Sequence, residues 1–253
     1  MFYVSGHTGV IHDLDTNQQQ LLQGHCNPIT AACVSKDAKW IVTSDTGLDS
    51  MVIVWEAASG TPVKTIFQSQ MDALTGFANS GVVALGLSHG ARFLATLSST
   101  SPQMLALWDW AALPGPDEVG ADDAVPFAPL VFAHVPTTDL QLSVAFNEYV
   151  KGHEGTSLVT NGDSRVVFWH WSPDERVSTT AGEDGGDDGD SGGGLVSQHK
   201  LHFYAPPIVA SEFKHAMGAF TLSIFLPHGE QALTATVDGD LPRDSVEQLV
   251  SIR

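Results

Sequence analysis

Short stretches in which apolar and polar residues alternate recur along the chain, separated by clusters of Gly, Asp, Asn, Ser and Pro. Alternation places every second side chain on one face of an extended strand, and β-branched and aromatic residues favour that conformation. No long stretch shows helical spacing with capping residues. The pattern predicts an all-β chain with three groups of four strands: 29–34, 40–44, 51–55 and 62–67; 82–87, 92–97, 103–108 and 128–132; 140–147, 157–161, 165–169 and 200–204.

The third strand of each group ends on a tryptophan: Trp55, Trp108 and Trp169. Leu14 takes the corresponding place in an earlier segment, so the successive spacings are 41, 53 and 61 residues. Units of about 40–45 residues with four strands are typical of WD-type propeller blades. We therefore predict four-stranded antiparallel blades arranged as a WD-type β-propeller.

Two insertions explain the longer spacings. Residues 112–127 and 172–198 are rich in Gly, Pro and acidic residues, and such segments bury too little apolar surface to fold alone. We predict that both are disordered loops between a third and a fourth strand, which places them on one rim face of the propeller. There they would either meet a basic partner or repel unwanted contacts.

A fourth unit begins with "AFTLSIFLPHGEQALTATVDGD", but its continuation, 241–253, does not read as a third strand. We therefore expect residues 241–253 to be a tail outside the propeller. The chain as a whole, 1–253, is predicted to form one partial propeller of about four blades, which starts inside one blade and stops inside another. Such a chain would be a fragment of a larger propeller, one part of a split gene, or the product of an imperfect gene model.

The resemblance to WD repeats implies a buried hydrogen-bonded chain behind each tryptophan. Its members are a histidine from a Gly-His pair, a hydroxyl on the second strand, an acid in the next turn and the indole. An unpaired buried polar group costs about 1–3 kcal/mol, which is the physical need for such a chain. The matching residues are His25, Thr43 or Ser44, Asp49 and Trp55, with a degenerate copy at His134, Thr160, Asp163 and Trp169.

The other two units depart from this pattern. Pro102 stands where the acid before Trp108 is expected, so we expect the hydrogen-bonded chain to be missing there. In the last unit, Asp238 predicts an aromatic residue six positions later, where Asp244 is found instead.

Charge narrows the range of partners. Eleven Lys and Arg face 29 Asp and Glu, for a formal net charge of -18. Nucleic acid and anionic membrane surfaces would be repelled, so neither is an expected partner. Cys26 and Cys33 form no CxxC pair, and the N-terminus lacks the basic flank and apolar core of a secretory signal. These features predict a reducing, intracellular location.

Candidate catalytic and metal-binding residues do not assemble into a known site. His25, Ser44 and Asp49 superficially resemble a Ser-His-acid triad, but the propeller interpretation assigns them to the structural chain. A calcium loop starting at Asp184 would have Leu195 where a bidentate Glu is needed. The 11 histidines show no HxxxH or HExxH spacing. We therefore predict a non-enzymatic protein with no cofactor and no metal.

The segment 9–67 resembles more than a generic WD repeat. The stretches "LLQGHCNPIT", "KWIVTSDTGLDSMVIVW" and "FTLSIFLPHGEQALTATVDGD" are similar to the cilia- and flagella-associated WD-repeat protein family of the calmodulin- and spoke-associated complex. The resemblance implies a scaffold at the radial spoke base of the motile axoneme, linking spokes to dynein regulation, with spoke-base proteins and calmodulin as partners. The alternative is a WD-repeat adaptor in another intracellular complex, such as a trafficking or ubiquitin-ligase assembly.

Two departures from that family stand out. Its full-length members have more blades than this sequence supplies. Some of them also carry a C-terminal calcium-binding helix-loop-helix region, which nothing in this sequence matches.

Overall fold

The computed structural model describes residues 1–68, 72, 81–112, 128–149, 156–176, 199–204, 218–227, 231–238 and 250–251. Short strands dominate this part of the chain. They are β1 Phe2–Ser5, β2 Thr8–His12, β3 Gln19–Gln23, β4 Ile29–Val34, β5 Trp40–Asp45, β6 Met51–Glu56, β7 Thr61–Phe67, β8 Val82–Leu87, β9 Phe93–Ser98, β10 Met104–Asp109, β11 Val131–His134, β12 Gln141–Phe146, β13 Thr156–Gly162, β14 Val166–Arg176, β15 His199–Tyr204, β16 Phe220–Phe225, β17 Gln231–Thr236 and β18 Val250–Ser251. A single 3-10 turn, Trp110–Ala112, follows β10.

The described strands form five antiparallel sheets in which each strand pairs with its neighbour in the chain. The first sheet contains β1–β3, and the second, third and fourth contain β4–β7, β8–β11 and β12–β15. The fifth contains β16–β18. Strand β4 packs on β8, β8 on β12, and β12 on β16, so the first strands of successive sheets lie side by side. This is the arrangement of a WD-type β-propeller, and these four strands are its inner strands.

The predicted strands of the three complete sheets are confirmed, with shifts at some ends. The fourth strand of the third sheet is Val131–His134 rather than 128–132. Strand β14 continues to Arg176, which pairs with His199, so residues 172–176 of the predicted loop 172–198 are strand. Residues 113–127 and 177–198, which make up the rest of both predicted loops, lie outside the described residues.

The tail prediction is wrong for Val250–Ser251. These two residues pair with Ala232 and Gln231 of β17 and so form the third strand of the fifth sheet. The apolar Val250 and Ile252 are separated by one polar residue, which is a strand pattern too short to recognise by alternation alone. Residues 241–249 and 252–253 lie outside the described part of the chain.

The core lies between the sheets. Because side chains alternate along a strand, each sheet turns one apolar face to the preceding sheet and one to the following sheet. Trp55 packs with Leu22 of the first sheet, whereas Val54 faces the third sheet and packs near Trp108. Trp169 packs in the same way against the third sheet, with Leu97 and Leu107. Each repeat tryptophan therefore faces the sheet that precedes it in the chain.

Candidate functional site: the buried tryptophan networks

The three repeat tryptophans are fully buried and occupy one register. Each lies opposite an apolar residue of the second strand: Ile41 opposite Trp55, Leu94 opposite Trp108, and Leu158 opposite Trp169. The threonine two residues further along the second strand points to the same face. Each indole Nε1–H donates to that hydroxyl, at 2.8 Å for Thr43, 3.1 Å for Thr96 and 3.0 Å for Thr160.

In the second sheet the hydrogen bonds continue to a histidine. The Thr43 hydroxyl accepts from the Trp55 indole, and its oxygen lies 2.7 Å from His25 Nε2. Because the Asp45 carboxylate near Nδ1 can only accept, we infer the tautomer with the imidazole proton on Nδ1, in which Nε2 accepts from the Thr43 hydroxyl. His25 Nδ1 faces Asp45 Oδ2 at 3.3 Å. Burial lowers the pKa of His25 below 6.5, although the Asp45 carboxylate opposes the change, so the imidazole is neutral at neutral pH.

The glycine before this histidine is required by packing. A Cβ atom added at Gly24 would lie 2.9 Å from Ile53 Cδ1 and 3.2 Å from Trp55 Cη2. A side chain at this position would therefore push against the indole that the network holds. The Gly-His pair predicted from the sequence thus has two roles, close approach to the indole and a partner for Thr43.

The acid of this network is Asp45, and the prediction of Asp49 is wrong. Asp45 is fully buried, and its carboxylate accepts from the backbone N–H groups of Met51 at 2.7 Å and Asn27 at 3.2 Å. It lies two residues after Thr43 on the same strand and so points to the same face. Asp49 is exposed in the following turn, with a positive φ of 56°. The sequence left open whether Thr43 or Ser44 supplies the hydroxyl of the network, and it is Thr43. The Ser44 side chain points to the opposite face, and its hydroxyl donates to the Val82 carbonyl of the third sheet at 3.3 Å.

The third sheet keeps part of the network that was expected to be missing. The indole of Trp108 has its Thr96 partner, and Ser98 takes the place of the acid two residues further along the strand. The Ser98 hydroxyl oxygen accepts from the backbone N–H of Met104 at 2.8 Å, as the Asp45 carboxylate accepts from Met51. Pro102 therefore does not remove the network, because the acceptor lies on the strand and not in the turn.

The fourth sheet uses glutamine instead of histidine. The Thr160 hydroxyl accepts from the Trp169 indole and donates to Gln141 Oε1 at 3.0 Å, and Gln141 Nε2 donates to the Asp139 carbonyl. Two predicted members are therefore wrong. His134 ends β11 and is exposed, and Asp163 is exposed in the turn between β13 and β14. Gln141 is fully buried, and its side-chain oxygen and nitrogen are both hydrogen-bonded.

A pair of glutamines connects the third and fourth sheets. Gln103 Oε1 accepts from the backbone N–H of Gln141 at 2.7 Å, and Gln103 Nε2 donates to the carbonyls of Gln141 and Ser98, each at 2.8 Å. The hydrogen bonds thus run from Ser98 through both glutamines to Thr160 and Trp169. Neither glutamine was singled out from the sequence, because amides at strand ends have no distinctive spacing.

The fifth sheet has the register of the network without its indole. Thr234 aligns with the three network threonines, and its hydroxyl lies 2.7 Å from that of Ser223. Val250 lies opposite Ala232. Val250 thus occupies the position that the repeat tryptophan takes in the other sheets. Asp238, predicted to be the acid of this unit, is exposed.

A second set of aromatic residues packs between neighbouring sheets. Trp110 and Trp171 each lie two residues after a repeat tryptophan. Trp110 packs edge-on against Trp40 of the preceding sheet, with ring centroids 5.0 Å apart, and Trp171 packs against Phe93 at 5.4 Å. Edge-to-face aromatic pairs add about 0.5–1.5 kcal/mol beyond area burial. The sequence contains a signal for them, the W-x-W spacing at 108–110 and 169–171.

The described residues hold no group of three or more His, Cys, Asp or Glu side chains arranged to bind a metal ion. In the same part of the chain, no helix has the length and apolarity needed to span a membrane.

Comparison with known proteins identifies the family. The model of the CFAP251 N-terminal domain matches residues 1–184. Relatives called "Cilia- and flagella-associated protein 251" include one from Chlamydomonas reinhardtii, 33% identical over 94% of this chain and 26% of its own length, and one from Tetrahymena thermophila, 33% identical over 95% and 20%. This chain thus spans about a quarter or less of these relatives.

A solved structure supports the fold. A chain in the crystal structure of the Mitotic Checkpoint Complex matches 93% of this chain and 55% of its own length, with a TM-score of 0.55 and 10% identity. At that identity the likeness concerns the fold alone. The match of the domain model to most of the sequence shows the family: this chain belongs to the CFAP251 N-terminal domain family.

Proposed function

We propose that this chain is a non-catalytic protein-binding scaffold of the motile cilium or flagellum. Its membership of the CFAP251 family carries this proposal, because the matched relatives are called cilia- and flagella-associated proteins. The propeller fold suits the role, since it is a stiff framework that presents loops on two rim faces. The relatives' names favour this role over a trafficking or ubiquitin-ligase adaptor.

The use of the polar side chains supports a non-catalytic role. His25 Nε2 takes the Thr43 proton, so it is not available as a base for Ser44, whose hydroxyl donates to the Val82 carbonyl. Burial raises the pKa of the Cys33 thiol to about 12, which keeps it protonated and unreactive. His25 and Ser44 are thus engaged in structural hydrogen bonds, and Asp49 lies apart from them in an exposed turn.

The proposal extends to a place in the axoneme. We place the protein at the base of the radial spokes, where it links the spokes to dynein regulation, with other spoke-base proteins and calmodulin as partners. The sequence resemblance described above supports this assignment. This chain covers only 26% of the length of the Chlamydomonas relative. The partners of the whole protein are therefore proposed together with its location.

The test is rescue of ciliated cells that lack the protein, using the tagged full-length form. We expect it in salt-washed axonemes, co-purifying with spoke-base proteins and calmodulin. Recovery only in the soluble cell-body fraction would refute the axonemal role. A Ser44→Ala form should restore beating as well as wild type does, whereas an enzyme that uses this serine would lose its effect on beating without losing its place in the axoneme.

A further inference from the structure

A small cavity lies between the second and third sheets, beside the indole of Trp108. Its volume is about 20 Å³. Val52 of β6 and Gln68, which directly follows β7, line it from the second sheet, and Thr96 and Ser98 of β9 line it from the third. A space of about 10–15 Å³ is enough for one water molecule, provided that two to four polar groups surround it.

The polar side chains that line this cavity are almost completely buried. Gln68 is 8% exposed, Thr96 4% and Ser98 7%. Buried polar groups in native proteins are hydrogen-bonded to protein or to ordered water, so the partners of these three side chains can be counted one by one.

Each of the three side chains has hydrogen-bonding capacity left over. The Thr96 hydroxyl oxygen accepts from the Trp108 indole at 3.1 Å, and the Ser98 hydroxyl oxygen accepts from the backbone N–H of Met104 at 2.8 Å. Neither hydroxyl donates its own proton to another of the described residues. Gln68 Nε2 donates to Asp72 at 2.8 Å, whereas Gln68 Oε1 accepts from none of them. Two donors and one acceptor therefore line the same cavity.

The neighbouring networks show what kind of group belongs there. The Thr43 hydroxyl lies 2.7 Å from His25 Nε2, and the Thr160 hydroxyl donates to Gln141 Oε1 at 3.0 Å. Thr96 has the same register as these two threonines and holds its indole in the same way. In the described part of the third sheet, however, no side chain accepts the Thr96 proton, and the cavity borders this hydroxyl.

We propose that the cavity binds one water molecule as a fixed part of the third network. The water accepts from the Thr96 and Ser98 hydroxyl groups and donates to Gln68 Oε1, which gives the three hydrogen bonds typical of buried water. It thus takes the role that an imidazole has in the second sheet and an amide in the fourth. Because Gln68 belongs to the second sheet, the water also connects two sheets, as Gln103 connects the third sheet to the fourth. This inference is independent of the proposed ciliary function.

The first test locates the water directly. A crystallographic or cryomicroscopy map of the full-length protein at a resolution better than about 2 Å should show one peak in the cavity. We expect it at about 2.6–3.2 Å from Thr96 Oγ1, Ser98 Oγ and Gln68 Oε1. A cavity without such a peak, or a direct hydrogen bond from Thr96 to Gln68 Oε1, would overturn the proposal.

The second test pushes a methyl group into the cavity with Val52→Ile. If a bonded water is displaced, two buried hydroxyl groups lose their acceptor, and burial of one methyl group offsets only part of this loss. Hydrogen exchange of the full-length protein, measured by mass spectrometry, should then be about tenfold faster for backbone amides of β9 and β10. Peptides from β13 and β14 should keep the wild-type rate, which shows that the rest of the fold is intact.

The matched control repeats Val52→Ile where the water has lost partners. In a Gln68→Leu/Ser98→Ala background, or in Ser98→Ala alone as a milder background, the added methyl group displaces a weakly held water. We expect Val52→Ile to change the exchange rate of β9 and β10 less than about threefold there. Equal acceleration in all backgrounds would indicate steric crowding, and slower exchange on adding Val52→Ile to the wild-type sequence would indicate a dry cavity; either result would overturn the proposal.

Discussion

The network behind Trp55 makes a sharp prediction for Thr43→Val. Valine has almost the same shape as threonine, so the change removes a hydroxyl without opening a cavity. Two buried groups then lose their partner: the Trp55 indole N–H, at 2.8 Å from the hydroxyl oxygen, and His25 Nε2, at 2.7 Å. Each unpaired buried group costs about 1–3 kcal/mol, so we expect the free energy of unfolding to fall by at least about 2 kcal/mol.

The matched control is Thr43→Ser, which keeps the hydroxyl and removes one methyl group, for an expected loss of about 1 kcal/mol. Urea unfolding, followed by circular dichroism and tryptophan fluorescence, measures both changes. With a slope of about 2–3 kcal/mol per molar urea, the Val variant should lower the midpoint by about 1 M and the Ser variant by less than half as much. If the two variants unfold at the same midpoint, the hydrogen bonds of Thr43 do not stabilise the sheet and the reasoning fails.

Three further predictions use the same unfolding assay. Asp45→Asn should cost about 1–3 kcal/mol, because one acceptor oxygen is lost where two backbone N–H groups donate. Asp49→Asn should change the free energy of unfolding by no more than about 0.5 kcal/mol, and equal effects of the two changes would restore Asp49 as the acid of the network. Burial lowers the pKa of His25 in the folded protein below 6.5, so the folded state resists protonation of this side chain. The unfolded state therefore binds more protons below pH 6.5, and the free energy of unfolding should fall as the pH decreases. His25→Gln should make the stability curve between pH 7.5 and 5 shallower, and parallel curves for the two proteins would contradict this. Gln141→Leu should cost about 1–3 kcal/mol by leaving the Thr160 hydroxyl without its acceptor, and an unchanged midpoint would show that this bond contributes nothing.

The strands could be predicted from the sequence because alternation and the tryptophan position are local signals. Trp55, Trp108 and Trp169 fix the third strand of each sheet, and the strands before and after them follow from turn residues. Trp108 kept its Thr96 partner despite Pro102, since hydrogen bonds along a strand do not depend on the residue in the turn.

The acids could not be found by counting back from tryptophan. From network threonine to tryptophan there are 12 residues in the second and third sheets but 9 in the fourth, because the connection between the second and third strands differs in length. Counting from the threonine instead gives Asp45 and Ser98, since residues two apart on a strand share a face. Gln141 had no such signal, because an amide replaces the imidazole that the repeat pattern specifies.

The central claim is that equivalent indoles in successive sheets are buried and held by the same threonine bond. Hydrogen exchange of the indole N–H groups, observed by NMR in the purified protein, tests this directly. Trp40 is half-buried and provides the internal reference. We predict that the indole protons of Trp55, Trp108 and Trp169 exchange at least a hundredfold more slowly than that of Trp40, since about 3 kcal/mol of opening free energy gives such a factor. Exchange of the three at the rate of Trp40 would contradict the account.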